Sequence, residues 1–133
     1  MDRERHSIFK VTAIQQSSRL VRYRGTWSPV TSTTLWWGGS AKRSSTRGST
    51  ATLTFTGRSI AWVGLKGANR GKANVYINGT LKGTVNLYSA TTQKKRVVWS
   101  WNFATAATRT ITIKILGTSG RPRVEIDGFI VGR

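Results

Sequence analysis

Thr50-Ala51-Thr52-Leu53-Thr54-Phe55-Thr56, followed by Gly57-Arg58 and by Ser59-Ile60-Ala61-Trp62-Val63-Gly64-Leu65, decides the class of fold. Ala51, Leu53 and Phe55 alternate with four threonines, the period of two that marks a strand with one apolar and one hydroxylated face. Gly57-Arg58 reads as a tight turn. The segment after it is apolar on both faces, as a central strand is.

The same pattern recurs outward from this pair. Ala73, Val75 and Ile77 alternate with Asn74 and Tyr76. Asn78-Gly79 then predicts a two-residue hairpin, because both turn positions need φ > 0, and residues 81–87 return. Val97, Trp99 and Trp101 alternate with Val98 and Ser100, and Ile111, Ile113 and Ile115 with Thr110, Thr112 and Lys114. Val124, Ile126 and Ile130 alternate with Glu125, Asp127 and Phe129 in a last strand. Residues 20–24 read as a first strand, with weaker ones at 35–37 and 41–44. Residues 7–16 fit either a short helix or an extra edge strand. No window longer than about ten residues carries a helical stripe. Roughly eight to ten short strands with Gly, Ser and Asn punctuation predict one all-β domain. Its architecture is expected to be an antiparallel β-sandwich of the jelly-roll kind rather than a closed barrel. Residues 20–133 form the sandwich, and residues 1–19 an N-terminal extension or edge element.

The 133 residues carry 22 Lys and Arg against four Asp and Glu, a formal net charge of +18. This length suits a single hydrophobic core. With 38% apolar residues the chain has enough to bury, so disorder through excess charge is not expected. No run approaches the roughly 18 consecutive apolar residues of a membrane span. The charged segment Met1-Asp2-Arg3-Glu4-Arg5-His6 lacks the apolar stretch of a signal peptide. Cysteine is absent, which excludes disulfides, thiolate metal sites and cysteine nucleophiles. The one histidine is His6, and the carboxylates are Asp2, Glu4, Glu125 and Asp127, all near the chain ends. Most hydrolases and transferases place a carboxylate or imidazole at the chemistry, so a non-catalytic protein is expected.

Loops of an antiparallel sandwich alternate between its two ends. From residue 50 on, Gly57-Arg58, Asn78-Gly79 and residues 102–108 fall at one end, with little charge beyond Arg58, Lys82 and Arg109. The segment before Thr50 and residues 66–72, 88–95 and 117–122 fall at the other. That end, with its strand margins, gathers Lys42, Arg43 and Arg47, then Lys66, Arg70 and Lys72, then Lys94, Lys95 and Arg96, then Arg121 and Arg123. No carboxylate lies between Glu4 and Glu125 to neutralise them. Such a concentration draws anionic partners and raises their on-rate at low salt. A guanidinium bonds two oxygens of a sulfate, carboxylate or phosphate at once.

Six tryptophans divide into two groups. Trp62, Trp99 and Trp101 lie in apolar strands and read as core. Trp27, Trp36 and Trp37 lie in a Thr-, Ser- and Gly-rich stretch, where an exposed indole can stack on a sugar ring or a base, or else cover the sandwich edge.

Four segments in this order carry a resemblance: Tyr23-Arg24-Gly25-Thr26-Trp27, then Leu53-Thr54-Phe55-Thr56-Gly57, then the run from Gly67 to Gly79, then the run from Gly117 to Phe129. Over about residues 20 to 132 the chain resembles the galactose-binding-like β-sandwich modules of secreted bacterial glycoside hydrolases, peptidases and cell-surface proteins. The resemblance implies a non-catalytic jelly roll that binds carbohydrate outside the cell, as one part of a longer protein. Two positions depart from its pattern: Asn78 stands where Asp is usual, and Arg109-Thr110 lacks a typical histidine. Many relatives hold a structural calcium, which needs six to eight oxygen ligands, so with only Glu125 and Asp127 in the body no cofactor is expected.

Together these observations predict a carbohydrate-binding module for an acidic glycan or anionic cell envelope. Trp36 or Trp37 would stack on sugar, and Arg70, Lys94, Lys95, Arg96, Arg121 and Arg123 would hold acid groups. Two other readings remain. One is a nonspecific nucleic-acid-binding β-domain, whose affinity would fall steeply with salt. The other is a structural module that packs a neighbour against residues 27–39.

Overall fold

The computed structural model describes residues 11–133. His6 and the first part of the element read over residues 7–16 lie outside the described residues. Among the described residues ten strands follow in order: β1 (Val11–Gln15), β2 (Val21–Arg24), β3 (Ser28–Thr31), β4 (Ser40–Ser44), β5 (Thr50–Lys66), β6 (Lys72–Ile77), β7 (Thr80–Asn86), β8 (Gln93–Ile115), β9 (Val124–Ile126) and β10 (Gly128–Gly132). One 3₁₀ turn spans Trp37–Gly39. Residues 11–15 are therefore an edge strand, and residues 35–37 are not a strand. The domain is the expected all-β antiparallel sandwich.

Its central feature departs from the sequence reading. Gly57-Arg58 is not a tight turn, and residues 102–108 are not a loop. β5 continues through Gly57 and β8 through residues 102–108, and the two pair from Thr50↔Lys114 to Lys66↔Gln93. The register slips where Gly57 pairs Ala107 but Ser59 pairs Asn102. The surplus residues on β8 bend the paired ribbon, as bulges do. The ribbon thereby serves both layers. Its first half joins β2, β6 and β7, and its second half joins β10 and β1. Hydrogen bonds from Ile115 N to Ser49 O, Leu116 N to Lys72 O, Leu87 N to Gly71 O and Gly67 N to Leu87 O bring the far end of β5 back beside its start.

The alternation within each half has the expected consequence. Ala51, Leu53, Phe55, Ile60, Trp62, Ile111, Ile113, Ile115, Phe129 and Val131 share one buried core between the layers. Threonines occupy the outer face, where Thr56 and Thr108 hydroxyls bond across the strands at 2.7 Å. Asn78 (φ 51) and Gly79 (φ 80) make the left-handed hairpin that their sequence requires.

A second sheet, β3-β4-β9, packs at the far end of β5, and its β9 adds Val124 and Ile126 to the main core. Trp36, Ala41 and Leu65 form a separate small core there. The last predicted strand breaks at Asp127, where the chain leaves β9 for β10, and Val124 to Phe129 are all buried.

At the bend, a Cβ on Gly57 would run into the Gly132 carbonyl and lie 2.8 Å from Val131 Cγ1. Gly57→Ala is therefore expected to lower the unfolding free energy by about 1–3 kcal/mol. A lower urea midpoint at unchanged slope would show this, and an unchanged midpoint would mean that the bend gives way freely.

Candidate functional site

At the end of the sandwich where residues 66–72 and 117–122 meet, the structure centres on a carboxylate that the sequence reading left unassigned. Glu125, from β9, is buried. Arg70, from the turn after β5, donates Nε to Oε1 at 2.9 Å and Nη2 to Oε2 at 2.7 Å. Arg43, from β4, donates Nε to Oε2 at 2.8 Å. Two cations thus share one buried anion. Arg70 is itself only 8% exposed, and its forked face is spent on Glu125. This corrects the expectation that Arg70 grips ligand: the residue holds β9 to the β5–β6 loop.

The outer shell of this end is different. The Arg121 guanidinium donates through Nη1 to the Arg70 carbonyl at 2.8 Å and to Asn86 Oδ1 at 2.9 Å. It lies 5.4 Å from the centre of the Tyr88 ring. Asn86 Oδ1 also accepts the Tyr88 N–H at 3.1 Å, so one amide orients both the aromatic ring and its cation. Tyr88 is 49% exposed. Arg123 bridges Arg70 in the backbone ladder, Arg47 packs at Gly117, and the Lys72 N–H donates to the Thr118 hydroxyl. These contacts bring Arg47, Lys72, Arg121 and Arg123 to one end of the sandwich. Tyr88 was missed in the sequence because a tyrosine in a loop carries no periodic signal.

The adjacent tryptophans part company. Trp36 is 2% exposed in the small core, so its ring cannot stack on sugar, which corrects that expectation and equally the idea that residues 27–39 offer it to a neighbour. Trp27 packs on Tyr23 at 5.1 Å and donates its indole N–H to the Arg24 carbonyl. Trp37 faces outward. It lines a shallow pocket of about 170 Å³ with Val63, Lys95, Val97 and Ile130. Lys94 and Arg96 flank this pocket's strand as exposed residues. Trp99 and Trp101, expected in the core, instead sit partly exposed with near-parallel rings 6.0 Å apart, and the Lys82 ammonium lies 5.2 Å from the Trp101 ring centre.

Asp127 completes the electrostatics. The Trp37 N–H faces both its carboxylate oxygens at 3.0 Å. Burial pushes its pKa up to about 6, against the opposing pulls of that N–H and of Lys95. Among the described residues, both Asp and Glu side chains are thus buried, and the exposed ionised side chains are cations. Glu125 is engaged by two arginines and Asp127 by a backbone N–H, a donor set that does not suit the calcium weighed above.

No protein-family model matches the chain. A curated relative, the A type blood N-acetyl-alpha-D-galactosamine deacetylase of Flavonifractor plautii, is 40% identical over 50 residues, which is 38% of this chain and 6% of that protein. A family two carbohydrate esterase from Cellvibrio japonicus superposes with a TM-score of 0.70 at 10% identity, over 92% of this chain and 33% of the esterase chain. The CBM36-1 domain of a multidomain xylanase, from the hindgut metagenome of Trinervitermes trinervoides, superposes with a TM-score of 0.64 at 14% identity. There the two chains correspond almost end to end, over 93% of this one and 98% of the other. The chain shares its antiparallel β-sandwich fold with this carbohydrate-binding domain and with a part of the esterase chain.

Proposed function

We propose that this domain is a non-catalytic, extracellular carbohydrate-binding module that holds an acidic polysaccharide or anionic envelope through its basic loop end, without a cofactor. The observation that carries this reading is the Arg121–Tyr88 pair. Arg121 spends Nη1 on the protein, while its Nε and Nη2 donate to no described residue, beside a half-exposed ring that can take the apolar face of a sugar. Arg47, Lys72 and Arg123 lie at the same end, with no exposed Asp or Glu among the described residues to neutralise them. The near end-to-end match to a carbohydrate-binding domain supports the same reading. So does the small share of the deacetylase that this chain represents. The carboxylate at this end, Glu125, is buried between two arginines, and the lack of an exposed carboxylate or imidazole among the described residues favours binding without turnover.

Calorimetry with polygalacturonate and with neutral galactan, at low and high salt, tests it. Polygalacturonate is expected to bind, more weakly at high salt because the exposed cations are screened. Arg121→Gln and Tyr88→Ala are each expected to cost about tenfold in affinity, the size of one lost charge-assisted bond. Equal affinity for the neutral polymer, or insensitivity to salt, would remove the electrostatic grip. An oligonucleotide that displaces polygalacturonate at physiological salt would favour the nucleic-acid reading instead.

A further inference from the structure

The outer face of the β10–β5–β8 layer carries a pocket with features that a plain sheet surface lacks. Inner positions of these strands, such as Phe129, Trp62 and Ile60, fill the core, so Ile130 and Val63 point outward. Val97 joins them because of a register slip: Trp62 pairs Trp99, but the next residue, Val63, pairs Val97. The extra residue, Val98, turns Val97 to the face opposite Trp99. A second slip, between Gly64↔Arg96 and Lys66↔Gln93, leaves Lys94 and Lys95 bulged out of the ladder. Lys95 there has φ 54, left-handed backbone that an L residue other than Asn, Asp or Gly rarely adopts. Strain of this kind concentrates where a side chain must be aimed.

Trp37 forms the facing wall, and two independent contacts fix it. Its backbone N–H points at the buried Asp127 carboxylate, and its six-membered ring lies so close to Gly128 that a Cβ there would come within 2.8 Å of Cζ3. The wall is therefore set before any ligand arrives. The result is Trp37, three aliphatic side chains and Lys95 around about 170 Å³. A dry apolar cavity of about 150 Å³ accepts benzene, so this space suits a single six-membered ring.

We infer that the Trp37–Lys95 pocket is a second ligand site, for one six-membered ring bearing a carboxylate, with the indole on the ring's apolar face and the Lys95 ammonium on the acid. Two sources present that chemistry: a uronic acid unit of a polysaccharide and a free aromatic acid. The first rests on the reading of the domain as a module for acidic glycans; the second does not. Hydroxyl groups of a sugar remain in water at the open mouth, so a single charged partner suffices to select acid over neutral rings.

The test is a set of ¹H–¹⁵N spectra of the whole chain, titrated at constant ionic strength with galacturonate, galactose or benzoate. Galacturonate or benzoate is expected to move the Trp37 indole N–H and the Val97 amide, and galactose to leave them in place. Benzoate acting alone assigns the pocket to aromatic acids. Lys95→Met is expected to weaken the response about tenfold. Lys95→Gly removes the charge while suiting the left-handed backbone, so a response lost there is not a folding failure. Arg121→Gln is expected to leave the monomer response intact while it weakens polygalacturonate binding about tenfold, which separates the two sites. Silence toward both acids, an equal response to galactose, or a full response in both Lys95 variants would overturn the assignment.

Discussion

Glu125→Gln is expected to lower the unfolding free energy by about 3–5 kcal/mol, the usual result of removing one partner from a buried ion cluster. Glu125 is the only acid within reach of two guanidiniums among the described residues, and Arg70 has almost no solvent to retreat to. Glutamine keeps the shape but loses the charge, and its amide group turns a donor toward donors. Arg43→Gln is expected to cost far less, because the Arg43 side chain is 28% exposed and water replaces its bond. Replacing Glu125 and Arg70 together by apolar residues of similar volume is expected to recover most of the loss, since the penalty lies in the stranded charge. Urea unfolding of the three variants checks the order. A change below about 1 kcal/mol in Glu125→Gln would mean that water reaches the cluster.

The Asp127 contribution to stability is expected to grow as the pH falls from 7 to 4, opposite in sign to ordinary acid denaturation. Asp127 has a pKa of about 6 in the folded chain and an ordinary value of 3.8. Between these values the folded state holds a proton that the unfolded chain has released. The stabilisation is fully present below the unfolded value and is lost as pH rises through 6. Its size is about 3 kcal/mol, from roughly 1.4 kcal/mol per pH unit of separation. Physically, an ionised carboxylate sealed beneath the Trp37 turn has given up its hydration for one backbone N–H. Asp127→Asn keeps an acceptor for that N–H and is expected to flatten this part of the curve. Thermal unfolding across pH at fixed ionic strength measures it, and an identical pH dependence in wild type and variant would place the charge in contact with water.

Much of the scaffold was legible before any coordinates because its signals are local. Side chains two apart on a strand share a face, so the alternation over Ala51, Leu53 and Phe55, and over Ile111, Ile113 and Ile115, already named core positions. Asn78-Gly79 named its own turn for the same reason. The misreadings occur where the outcome depends on a partner strand. Gly57-Arg58 looks like a turn, but β8 bends with it and the pairing never stops. Val97, Trp99 and Trp101 read as one face, but one bulged residue puts Val97 outside and the two indoles at the core's edge.

Composition and periodicity, by themselves, were sufficient for an all-β chain with a cationic surface and little machinery for moving protons, because side-chain spacing and charge counts do not depend on the route the chain takes. Which charges face water did depend on that route. Arg70 and Arg121 are both arginines of the basic loops, yet Arg70 closes on Glu125 from 55 positions away while Arg121 is turned out over Tyr88. Trp36 and Trp37 are neighbours, yet one seals a core and the other walls a pocket. Burial, ion pairing and the facing of a ring are properties of what lies opposite, and only long-range strand pairing determines what that is.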